Sequence, residues 1–262
     1  MESVVKKTLL VDVEDGGIVT VTMNRPHRKN AADATMWVEL AETWTEFGSD
    51  PDTRVLVMTG AEDAFCAGAD LNPQDRGTKH QLQAMHDITR TALALHRIPK
   101  PTIAKVNGVA AGAGCNIALG CDLIVAGDTA RFTEIFAKRG LSVDFGGTWL
   151  LPRLVGLHRA KEIAFFGDIL SAQEAERLGL VNRVVPGDEL DAVVGEWAAR
   201  LAAGPPLALS MTKRMLNDAV TRSFEDALEA EGVSQTVNFS TEDTAEAISA
   251  FLQKRDPEFT GR

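Results

Sequence analysis

Two hydrophobic periods alternate along this chain, one near two residues and one near three and a half. Residues 8–13 and 18–23 are β-rich and flank Glu14-Asp15-Gly16-Gly17, a hairpin signal. The basic, turn-rich stretch NRPHRKNA follows. Asp33 then stands where it N-caps a helix to about residue 47, with Met36, Val38, Leu40, Trp44 and Phe47 on the buried side. Residues 54–59 read as a short strand and GAEDAFCAGADLN as the loop after it. Residues 79–96 read as a helix that stops before Ile98-Pro99-Lys100-Pro101. Residues 102–122 read as a β-branched strand, a glycine and alanine loop, and an apolar helix; residues 123–126 form another short strand. Strands alternating with helices predict an α/β fold with buried parallel pairing. Ser171-Ala172-Gln173-Glu174 is a capping box opening a helix that ends near Gly179, and residues 181–185 are one more strand. Beyond about residue 190 the pattern is purely helical, over 190–202, 207–220, 223–238 and 241–254. That shift divides the chain into a core over 1–200 and a C-terminal helical region over 201–262.

The loop in VNGVAAGAGCN has almost no side chains, so a ligand can approach its backbone closely. The helix after it turns its first N–H groups, with partial positive charge, toward that loop. Gly112-Ala113-Gly114 begins like a dinucleotide fingerprint, but Ile117 occupies the third glycine position and would crowd the helix against the strand. No Lys-Ser or Lys-Thr follows, which removes a P-loop. What remains is a pair of backbone N–H groups binding a developing negative charge, and that needs a second loop. Ala64-Phe65-Cys66-Ala67-Gly68-Ala69-Asp70-Leu71 supplies one, again just after a strand. Either loop alone reads as a tight turn; together they favour an oxyanion site.

Composition narrows the rest. A chain of 262 residues with formal charge −10 shows no basic stripe, which excludes nucleic-acid binding. Cys66, Cys115 and Cys121 lack metal-type spacing and read as reduced thiols. Neither a secretory pattern nor a membrane-length apolar run is present, so the expected location is cytoplasmic.

With these residues in view, the sequence resembles the enoyl-CoA hydratase/isomerase (crotonase) family. MNRPHRKNA, GAEDAFCAGADL, VNGVAAGAGCNIALGCD, GGTWLLPRLVG, SAQEAERLGLVNRVV and FLQKRDPEF carry the resemblance, in the family's order and across nearly the whole chain. It implies a crotonase-like spiral of ββα units, an acyl-CoA-binding core, and a C-terminal helical region that forms a homotrimer or a dimer of trimers. No metal or redox cofactor is implied, since CoA arrives as part of the substrate. By the same resemblance the N–H groups of Ala69 and Ala113 form the oxyanion hole. Arg25, Arg28 and Lys29 lie where the family contacts CoA phosphate and adenine. Ala67, Asp70 and Leu71 line the adenine and pantetheine side, and Lys254 reaches a neighbouring subunit's CoA. The pocket wall draws on residues 74–85.

Departures from the family pattern bear on the reaction. Its hydratases carry two glutamates; this chain has Asn116 at one position and, on an ungapped count, Phe136 at the other. Asn116 can hold a water but relays a proton poorly. Glu134 lies two residues from Phe136, a turn of about 200° on a helix, and is expected to face away. Asp144, before Phe145-Gly146-Gly147, matches an aspartate that double-bond-shifting relatives use. A carboxylate beside Phe136, Phe145 and Trp149 is expected to have a raised pKa. A dehalogenase would want a histidine where Thr89 stands; His86 and His96 are out of register. The expected activity is therefore double-bond isomerisation with Asp144 as acid and base. The alternatives are an enoyl-CoA hydratase using Asn116 and Asp144, and a non-catalytic acyl-CoA binder.

Overall fold

The computed structural model describes residues 2–72 and 80–262. Strands β1 (Glu2–Val5), β2 (Leu9–Glu14) and β3 (Ile18–Met23) form an antiparallel meander. Strand β4 (Val55–Gly60) pairs in parallel with β3 and opens a repeating path. After it come β5 (Ala64–Cys66) and helix α2 (Gln81–His96), then β6 (Thr102–Val106), β7 (Val109–Ala111) and α3 (Ala113–Leu119). A third turn begins with β8 (Leu123–Gly127) and β9 (Arg131–Thr133). Strands β4, β6 and β8 lie side by side in a seven-stranded sheet, while β5, β7 and β9 lie side by side in a four-stranded one. Each turn of chain thus gives one strand to each sheet, which is the spiral of ββα units expected. The short strands β10 (Leu170–Ser171) and β11 (Arg183–Val185) close the small and large sheets.

Why β4 can be buried throughout follows from what covers it. Val55 and Val57 pack with Ile103, Val125 and Val185 against α7 (Leu190–Ala202) through Leu190, Val194 and Ala198. Leu56 and Met58 point to the opposite face, into the main core with α1 (Ala34–Ser49). Burial on both faces is the signature of a covered parallel sheet, each such side chain contributing about 1.5–3 kcal/mol. Asp33 caps α1 as expected, its carboxylate accepting from the Met36 N–H at 2.8 Å. Met36, Leu40, Trp44 and Phe47 are buried on this helix, and Val38 is half-buried.

After β9 the chain passes a 3₁₀ stretch (Ile135–Arg139), α4 (Gly147–Val155), α5 (Leu157–Phe166) and α6 (Ala172–Arg177). The capping box on α6 is formed in both directions. Helices α8 (Pro206–Ala219), α9 (Phe224–Phe239) and α10 (Glu242–Gln253) bury little. Lys213 ties α8 to the core through Asp122 (2.7 Å) and the Lys100 carbonyl (2.9 Å). No described helix is long and apolar enough to cross a membrane. Residues 74–79 of the expected pocket wall, Lys79 of the expected helix included, lie outside the described residues. One expectation fails locally: GAEDAFCAGADLN is not all loop, because Ala64–Cys66 is fully buried and pairs with β7.

Candidate active site

Two glycine-rich loops meet at the C-terminal ends of β5 and β7. Cys66 on β5 is registered with Ala110 on β7, and Ala69 and Ala113 each follow three residues later. Gly68 and Gly112 both take positive φ, at 99° and 53°. A Cβ on Gly68 would stand 2.8 Å from the Ala111 oxygen and 3.7 Å from the Ala113 nitrogen, so the loops touch. Ala113 is the first residue of α3, where an N–H has no helical partner. Among the described residues neither the Ala69 nor the Ala113 N–H meets an acceptor, while Gly112 donates to Thr133 and Asp70 to Ala32. The first loop is held by Asn30, fully buried at φ 56°. Its Oδ1 accepts from the Arg25 N–H, and its Nδ2 donates to the Ala61 and Ala64 carbonyls.

Three polar side chains converge beside α3. Asn116 is fully buried, and its Nδ2 donates to the Asp144 main-chain oxygen at 3.0 Å and to Glu134 Oε2 at 3.3 Å. Asn116 Oδ1, Glu134 Oε1 and Asp144 Oδ1 are buried and unpartnered among the described residues. Burial pushes the Asp144 carboxyl up to about 6. Burial also raises Glu134 to about 7; bonds from Cys115 and Asn116 oppose this, and the nearby Asp144 charge adds to it. The turn after Asp144 is tight: Phe145 has φ 50° and Gly146 φ 83°. A left-handed conformation is costly for an aromatic residue. Phe145 is held there by burial against Trp37, ring centroids 5.7 Å apart. Phe136 is buried with its ring edge 3.6 Å from the position of a Cβ on Gly112. A cavity of about 390 Å³, lined by residues including Phe136, Leu141, Val143, Leu157 and Phe165, adjoins this turn.

The enoyl-CoA hydratase/isomerase family model matches residues 13–262. The chain belongs to this family. Among its curated relatives, the 1,2-epoxyphenylacetyl-CoA isomerase of Escherichia coli (strain K12) is 39% identical over 94% of this chain and 96% of its own length. The 2,3-dehydroadipyl-CoA hydratase of the same organism is 38% identical over 94% of this chain and 96% of its own. A solved enoyl-CoA hydratase from Bacillus anthracis superposes with a TM-score of 0.92 at 32% identity, covering 98% of this chain and all of the other.

For this hydratase/isomerase-family enzyme the remaining expected residues divide by environment. Arg25 is buried; its guanidinium meets Asp70 (3.0 Å), Asp33 (3.3 Å) and the Ala31 carbonyl. Arg25 thus acts as a rivet between loops, already neutralised by two carboxylates. Asp70 shares that task. Despite burial, the Asn72 N–H and Arg25 hold its carboxyl below the ordinary range. Arg28, Lys29 and Leu71 are exposed and Ala67 is half-buried near them. Lys254 is exposed at the end of α10. The expectation that Glu134 faces away fails. It precedes the 3₁₀ stretch at φ −88° and ψ 64°, directly after β9, so helical arithmetic does not apply. The β-type run Arg131-Phe132-Thr133 before it was the available signal.

Proposed function

We propose that this enzyme isomerises an enoyl-CoA by moving a proton between two carbons of a thioester enolate. Supporting this is the pair of N–H groups at Ala69 and Ala113, unpartnered among the described residues, on touching loops three residues beyond a registered strand pair. They donate to the thioester oxygen as it gains charge. Asp144, ionised, takes a proton from C2 of a 3-enoyl-CoA, forming a dienolate, and returns it to C4 to give the 2-enoyl thioester. A carboxyl raised to about 6 is suited to both steps near neutral pH. Hydration of a 2-enoyl-CoA is the second reading, favoured by Glu134, which gives the site a second buried carboxyl beside Asn116.

Conversion of 3-enoyl-CoA to the conjugated isomer, followed by absorbance, tests the first reading against loss of absorbance from crotonyl-CoA. Ala113→Pro removes one donor where the first helical position tolerates proline. It is expected to lower kcat about 10²–10³-fold with little change in folding. Unchanged turnover would remove Ala113 from the site.

The exposed Leu216, Phe224, Val233, Phe239, Phe251 and Leu252 of α8–α10 support the C-terminal region as the surface of a homotrimer or a dimer of trimers. Mass in solution is expected at three or six times the chain mass; a monomer refutes it.

A further inference from the structure

The proton transfer above uses Asp144 and two main-chain donors and leaves Glu134 without a task. A fully buried carboxyl with an unpartnered oxygen is costly, and its environment favours the neutral form. Two side chains reach it, the Cys115 thiol and the Asn116 amide, and the amide is the one that leads on to Asp144. The Asn116 nitrogen has two hydrogens, and two acceptors face it: Glu134 Oε2 and the Asp144 main-chain oxygen. Turning the amide over would set its oxygen against the Asp144 carbonyl, which can only accept, and against Glu134 Oε2 whenever that oxygen carries no proton. Nor can the amide swing aside, because Gly147 lies against it: a Cβ there would stand 2.5 Å from both Asn116 Nδ2 and Oδ1. The Asp144 carbonyl also accepts from the Gly147 N–H at 3.0 Å, so one network joins Glu134, Asn116 and the turn that presents Asp144.

We propose that Glu134 is a positioning residue. It locks the Asn116 amide so that its nitrogen holds the Asp144 turn and its oxygen is left as a buried acceptor for an O–H in the reaction. At the moment of proton transfer such O–H groups are the Asp144 carboxylic acid and bound water. The inference rests on the reading of Asp144 as the proton carrier. The lock itself does not, because it is made of contacts present without substrate.

The test compares Glu134→Gln, which keeps an acceptor oxygen without the charge, with Glu134→Met, which removes the acceptor at similar length. Glu134→Gln is expected to stay within about threefold of the parent kcat, and Glu134→Met to lose about tenfold or more at nearly constant KM. In an Asn116→Ala background, Glu134→Met is expected to have no further effect. Equal activity of the Met and parent proteins overturns the proposal. So does equal loss in Gln and Met, which would make Glu134 a proton carrier itself, or a loss confined to KM. Spectra of protein labelled with ¹⁵N-asparagine give a readout free of turnover. The Asn116 side-chain N–H pair is expected to exchange slowly in the parent and Gln proteins and quickly in the Met protein. Fast exchange in all three refutes the lock. If the parent turns over no acyl-CoA, the proposed reaction fails while the amide spectra still decide about Glu134. Should the Met protein not fold, fast exchange in the Gln protein counts against the lock and slow exchange supports it.

Discussion

Asp144→Asn is expected to lower kcat for enoyl-CoA isomerisation by about 10²–10⁴-fold, with KM changed little. Asparagine keeps the shape of the turn but cannot take up a proton. The Asp144 main-chain oxygen still receives Asn116 Nδ2 and the Gly147 N–H, so the neighbourhood has no reason to collapse. The parent enzyme adds a pH signature. With its carboxyl raised to about 6, Asp144 is ionised and competent above that pH, and the rate falls as pH drops through it. That acidic limb is absent from the residual activity of Asp144→Asn. Stability moves the other way. Because the folded pKa is raised from 3.8, ionisation opposes folding; the cost is full above about pH 6 and gone below 3.8. Urea melts are therefore expected to show Asp144→Asn gaining on the parent at pH 8 and not at pH 3.5. Retention of more than about a tenth of the parent kcat would end the role of Asp144 as proton carrier.

Gly114→Ala is expected to disturb the fold at the site itself. A single methyl there would stand 2.2 Å from the Cys66 carbonyl oxygen and 2.8 Å from both its carbonyl carbon and its Cβ. Two of those three atoms are backbone, so neither a rotamer change nor a small shift relieves the clash. Helix α3 must move off β5, at a cost of about 3 kcal/mol or more. For a chain of this size that corresponds to a fall in Tm of roughly 6–12 °C. Turnover falls with it, since Ala113 is the preceding residue. Gly195→Ala and Gly232→Ala are the controls: both lie in helices, and an added Cβ meets nothing within 4 Å. Each is expected to hold or raise Tm slightly, because alanine favours helix. A Gly114→Ala protein as stable as the parent would show that α3 and β5 are not so closely apposed.

The fold was legible wherever local chemistry agreed with tertiary packing. Asp33 announced α1, Glu14-Asp15-Gly16-Gly17 announced a hairpin, and the capping box announced α6. The main missing pieces are those with weak local pattern. The three residues of β5 are too few to show alternation. The segment 147–166 carries Pro152 inside what became α4 and Gly156 between α4 and α5, so its helical pattern is interrupted. Glu134 was misread for a different reason. Its direction depends on where β9 ends and the 3₁₀ stretch begins, which a fixed helical turn angle does not capture. Arg25 looked like a basic residue in a basic loop; its carboxylate partners are 8 and 45 positions away. Long-range pairing of that kind is invisible to composition.

The small sheet has a consequence that its size conceals. Ala69 and Ala113 each stand three residues beyond two registered neighbours, Cys66 and Ala110, just past an irregularity in the pairing of β5 with β7. Adjacent strands run about 4.8 Å apart whatever side chains they carry. The span between the two donors is thereby set by paired backbone and by the close approach of α3 to β5 at Gly114, not by the polar side chains around it. Residues around it, such as Asn116 and Asp144, are free to be exchanged for other chemistry while the span stays constant. A scaffold of this kind can change its reaction without rebuilding the place where charge is received.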